Sequence, residues 1–157
     1  MLAVHSPRSA SGALLLVHFV AVLYTTGFVW TLQLMDYPMV ARLKGAASAA
    51  YMDQHNHMFW RVLAPGLFTA GLTGLVMLIV RPAVVPLAVV VAFLVLMAAI
   101  MVLSGAVATP DRNALAQHFD TATHAHLLKV SWIRTLAFTG WSALSGWMIW
   151  RLIAEKR

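Results

Sequence analysis

Four long stretches of this chain carry no charged residue: Gly12 to Met35, Val62 to Val80, Pro82 to Pro110, and Thr135 to Trp150. A helix needs about 20 predominantly apolar residues to cross a hydrocarbon core. The first three stretches, of 24, 19 and 29 residues, meet that need or nearly so. The fourth has 16 residues between Arg134 and Arg151, about 24 Å of helix. It must borrow another turn, which draws Ser131, Trp132 and Arg134 to the bilayer edge. Trp141, Trp147 and Trp150 then fall toward the far interface, where aromatic belts form.

These stretches predict an all-α integral membrane protein, a four-helix transmembrane bundle in a single domain, 1–157. The spans are placed at about 12–35, 58–80, 83–108 and 126–151. A cleaved signal peptide is the competing reading of the first stretch, but its apolar part is too long and no clear small-x-small site follows. Composition agrees with lipid as the main solvent. Of 157 residues, 61% are hydrophobic and 10% charged, against roughly 25% charged in soluble domains. Polar surface is too scarce to cover a water-facing globule.

Arg81-Pro82 marks a tight turn between spans two and three, since proline cannot continue a helix that needs its N–H. An even number of crossings puts both termini and this turn on one side, here side A, and the two remaining connections on side B. Side A carries Arg8, Arg81, Arg151, Lys156 and Arg157; side B carries Arg42, Lys44, Arg61, Arg112, Lys129 and Arg134. Setting aside Arg61 and Arg134 as parts of helix ends leaves a slight excess on side A, which leans that side cytoplasmic in a bacterial inner membrane. The formal charge of +6 comes from single Lys and Arg residues beside apolar blocks. That pattern fits anionic headgroups and not nucleic acid. With no cysteine, disulfides, thiolate metal sites and a cysteine nucleophile are excluded.

The remaining polar residues concentrate on side B. Of seven histidines only His5 belongs to side A. At 100° per residue, His124, Ser131, Arg134, Thr135, Ser142 and Ser145 share one face of span four, and such a stripe should face inward. In span one, His18, Thr25, Gln33 and Asp36 lie on a common face, and in span two His57 and Arg61 are four apart.

Neutral imidazole binds copper, iron or zinc, and carboxylate or Tyr can complete a site. His55, His57 and His124 with Asp36 are therefore the candidate metal ligands, with copper or iron as the expected metal. On an extended segment His55-x-His57 would point both rings one way, whereas on a helix His124 and His126 point about 200° apart, so only His124 joins. His18, inside span one, is the candidate haem ligand. Tyr37, Arg61 and Arg134 are the candidate catalytic residues, the arginines stabilising an enolate or peroxide anion. The plainer alternatives stay open: Arg61 and Arg134 snorkel to headgroups, and His18 is a hydrogen-bonded core histidine.

The run Phe119-Asp120, His124, Leu127-Leu128, Ser131-Trp132-Ile133-Arg134-Thr135 and Phe138-Thr139, together with Gln33-Leu34-Met35-Asp36-Tyr37-Pro38 and Tyr51 to Pro65, resembles a group of bacterial four-helix membrane proteins of unassigned function. These in turn resemble, distantly, the anthrone-oxygenase-like membrane family, some of whose members insert oxygen into aromatic polyketides. The resemblance implies roles for Gln33, Tyr37, His55, Arg61, His124, Trp132 and Arg134. Asp36, Ser131 and Phe138 depart from the pattern, where His, Asn and Trp are expected.

Two functions follow. One is a membrane oxidoreductase, oxygenase-like, acting on a lipophilic or aromatic small molecule at the side B cluster. The other is a non-catalytic membrane interaction or assembly subunit, in which small-residue patterns such as Gly66-to-Gly74 and Ser142-to-Gly146 pack helices or the protomers of a homo-oligomer.

Overall fold

The computed structural model describes residues 7–43 and 45–155; His5, Lys44, Lys156 and Arg157 lie outside the described residues. Every regular element is helical: α1 (Pro7–Thr31), α2 (Tyr37–Arg42), α3 (Ala46–Val76), α4 (Leu87–Leu103), α5 (Thr109–Gln117) and α6 (Thr121–Ala154). Two π-helical turns, Leu32–Asp36 and Ser104–Ala108, join α1 to α2 and α4 to α5 without a break. The chain therefore forms four long rods.

Three of these rods, Ala10–Arg42, Ala46–Val76 and Leu87–Gln117, are long and apolar enough to cross a membrane. The fourth, α6, is 34 residues long and carries Lys129, Arg134 and Arg151 along its length. Around the bundle α1 packs between α3 and α6, and α4 closes the ring against α6 and α3. The short α5 tucks against α3 and α6.

The connections anticipated on side B are largely absorbed into helix. The first shrinks to residues 43–45, where Gly45 takes a positive φ of 56° that glycine alone adopts without cost. The second shrinks to the break after Gln117, and Asp120 restarts the helix by accepting from the Thr123 N–H at 2.7 Å, an N-cap. The helix that carries span two runs from Ala46 to Val76. The Arg81-Pro82 turn is present, with Arg81 donating to the Val85 and Leu78 carbonyls.

Burial separates two kinds of surface. Phe68, Leu72, Ile79, Val95, Val102 and Leu136 point outward, while His18, Gln33, Arg112, His124, Ser131, Arg134 and Ser145 are buried. A bundle in lipid gains little from hiding apolar groups, so association rests on close packing and internal hydrogen bonds. Gly66 shows the packing: a Cβ there would lie 2.5 Å from Thr25 Oγ1 and closer still to the Tyr24 ring. Gly74 meets Phe93 in the same way. These glycines seat α1 and α4 against α3, the helix packing expected of the Gly66-to-Gly74 pattern.

At the end of the bundle away from α5, Gly12 of α1 lies against Leu152 of α6. In the middle, His18 Nδ1 meets Thr73 Oγ1 at 2.9 Å and Nε2 meets Ser145 Oγ at 3.4 Å. The ring rests edge-on against Phe93 at 4.4 Å. Both nitrogens are engaged, and His18, the candidate haem ligand, here ties α1, α3 and α6 together.

Candidate functional site

The π turn at Leu32–Asp36 sets the site. One extra residue per turn shifts the phase of all that follows, so Gln33 and Tyr37 are both buried while Asp36 looks toward α3. The Asp36 carboxylate accepts from the Tyr51 hydroxyl and contacts His55 Nδ1 through its second oxygen. His55 Nε2 is buried with no partner. An imidazole that gives its Nδ1 proton to a carboxylate presents a lone pair at Nε2, the arrangement that orients a general base.

Beside this dyad lies an open groove of about 420 Å³. Phe28, Leu32, Met35, Met39, Met58 and Phe59 form its apolar walls, with Asp36, Tyr51 and His55 in its lining. The volume falls within the roughly 300–1,000 Å³ of small-molecule sites.

Behind the groove the chemistry turns cationic. Arg112 is 3% exposed and Arg134 1% exposed, and Arg112 lies within electrostatic range of both Arg134 and Tyr37. Its guanidinium sits 4.0 Å above the Phe59 ring, a cation–π contact, and donates to Thr109 Oγ1 at 2.9 Å. Thr109 follows the second π turn and is itself bonded to the Ser104 carbonyl at 3.0 Å, so that turn fixes where Arg112 reaches. Tyr37 is fully buried, with its hydroxyl beside the Arg112 guanidinium but outside strict hydrogen-bonding geometry among the described residues. Gln33 Oε1 is likewise buried without a partner. His124 contacts the Tyr37 carbonyl through Nε2 at 2.9 Å and holds the first π turn against α6.

Of the residues singled out from sequence, Asp36, Tyr37, His55, His124 and Arg134 belong to this one region. His57 and Arg61 do not. Because α3 runs unbroken through His55-x-His57, the two rings point to opposite faces, as expected for His124 and His126. His57 is exposed and pairs with Asp53 at 3.7 Å. Arg61 is exposed too, and among the described residues its one hydrogen-bond contact is a long one to Met58 sulfur at 3.8 Å. Trp132 is 43% exposed and stacks edge-on with Trp30 at 5.8 Å. His126 pairs with Asp111 at 2.8 Å, away from the groove.

The four-ligand metal set is consequently not assembled. Among the described residues no three of His, Asp or Glu converge as metal ligands do. In the Asp36–His55 pair the two groups face each other, so the donor set does not fit copper, iron or zinc as it stands.

Two participants escaped the sequence reading. Tyr51 was passed over because it lay in a presumed loop. Arg112 was counted only as a side B charge, although Ala108, Arg112 and Leu115 recur at helical spacing and are all buried. That 0, 4, 7 pattern running across Pro110 is the available signal.

The fold and site define an all-helical bundle with three membrane-compatible helices and a buried polar centre near one end. No family model matches the chain, and no match is found among curated proteins or solved structures.

Proposed function

We propose that the protein is an integral membrane oxidoreductase, oxygenase-like, with four crossings and both termini on one side. Its substrate is a lipophilic or aromatic molecule bearing an acidic C–H or O–H. The observation that carries this reading is the Asp36-oriented His55 in the lining of an apolar groove, with Nε2 unpartnered. The substrate enters from the bilayer between α1 and α3, surrenders its proton to His55, and becomes electron-rich enough to react with O2. Arg134, Arg112 and Tyr37 lie beyond Phe59 and His55, where they stabilise the negative charge that develops.

The crossing of α6 is supported by its outward Trp132, Ile133, Leu136, Trp150 and Ile153. The common side for the termini is supported by the Gly12–Leu152 contact. A bacterial inner membrane is the setting in keeping with the resemblance drawn from the sequence.

The test is O2 uptake by the protein purified in a neutral detergent, offered polycyclic hydroxyaromatic ketones, alongside elemental analysis for copper and iron. Uptake that His55→Ala abolishes supports the assignment. Equal uptake by the wild type and His55→Ala removes it.

A further inference from the structure

We infer that Arg112 and Arg134 form a buried oxyanion site, filled by a group that the chain itself does not supply. The chain has five acidic residues, and each is committed elsewhere or distant. Asp36 is taken by Tyr51 and His55, Asp111 by His126, and Asp120 by Thr123. Asp53 is exposed beside His57, and Glu155 is exposed near the end of α6. Neither guanidinium forms an ion pair among the described residues.

Four guanidinium nitrogens, Nε and Nη1 of each arginine, are buried without a well-aligned acceptor among the described residues. Two like charges, desolvated, within range of each other and lacking a counter-ion, are strongly disfavoured unless an anion joins them. Arginine's fork suits a two-oxygen acceptor, carboxylate or phosphate. The Tyr37 hydroxyl, beside the Arg112 guanidinium, adds a neutral donor to the site.

The surroundings indicate how the oxyanion arrives. Phe59 both lines the apolar groove and carries the Arg112 guanidinium on its face. A ligand whose hydrocarbon body lies in the groove can bring an acidic headgroup past Phe59 to the arginines. The ligand is thus the oxyanion of a lipophilic acid, with an aqueous phosphate as the other source of the same chemistry. The inference stands whether or not His55 acts as a base.

The test is thermal unfolding of the full chain in a neutral maltoside, stripped of anionic lipid, with three separate probes: dodecanoate, sodium phosphate, and dodecanol as the uncharged control. Dodecanoate at a hundredfold excess over its Kd should raise Tm by about 5–10 °C, and dodecanol should not. A matching rise with phosphate would keep the site but assign it to an aqueous anion. Arg61→Gln should retain the response, which separates the site from a change in micelle charge. Arg112→Met/Arg134→Met should lose it, yet unfold no lower than the wild type without probe, because two uncompensated charges have gone.

Should the double variant not fold, the wild type still decides. Dodecanoate labelled with 13C at the carboxyl should show a bound signal that stays ionised to lower pH than the micellar pool. No shift with either anion, or equal shifts with dodecanoate and dodecanol, overturns the proposal.

Discussion

Replacing Asp36 by Asn tests the site at its hinge. Asn is nearly isosteric, so Tyr51 keeps an acceptor, but the side-chain amide now offers N–H to His55 Nδ1. The imidazole must then carry its proton on Nε2, and the nitrogen facing the substrate changes from acceptor to donor. A correctly placed general base contributes about 10²–10⁴-fold to rate, so D36N should lower turnover by that range. The stability cost is smaller. One hydrogen bond to a charged group is worth about 1.5–3 kcal/mol, and with the Asp36 side chain 21% exposed the loss should be about 1–2 kcal/mol. Nitrogen-15 spectra of histidine-labelled protein read the tautomer directly, without need of a substrate. Wild type and D36N showing the same protonated nitrogen on His55 would refute this account of the dyad.

Three further outcomes are expected. Gly66→Ala should destabilise the fold by about 1–3 kcal/mol, read as a lower midpoint in detergent unfolding, since its methyl would overlap Tyr24 and Thr25. His57→Ala and Arg61→Ala should leave turnover within about twofold, because both side chains face away from the groove, whereas the surface-distant His124→Ala should loosen the Tyr37 carbonyl and slow it more. The hydrogen bond from the Thr123 N–H holds the Asp120 carboxyl below the usual carboxylate range. Its folded value is thus below its unfolded one, so the cap contributes above the unfolded value and is lost as pH falls through the folded one. Asp120→Ala should therefore lower Tm at neutral pH and match wild type once both carboxyl states are protonated.

Much of the architecture was legible because lipid imposes a simple rule on length and charge. Arg81-Pro82 announced its turn, and the α6 stripe of His124, Ser131, Arg134, Thr135 and Ser145 is buried as its spacing required. The connections were not legible. Polar residues such as Asp53, His57 and Asn56 look like loop material, yet they ride on helices that extend past the apolar region, where either environment satisfies them. On the continuous α3 helix His57 points away from His55, while Tyr51 comes onto the Asp36 side. Phase was the second blind spot: a uniform 100° step cannot register a π turn, and both turns fall where the site residues begin.

Those two turns also set how the site tolerates change. Each is a helix carrying one surplus residue, so rewinding all of 32–36 as regular α-helix would swing Tyr37 and Val40 by about 90° off their faces, whereas deleting one residue there would leave them close to their present faces. Conservative replacement of the same residues leaves the winding intact. The position of the buried arginines relative to His55 is accordingly governed by the winding of these two turns, and any change that regularises them without removing a residue turns the site residues away from one another.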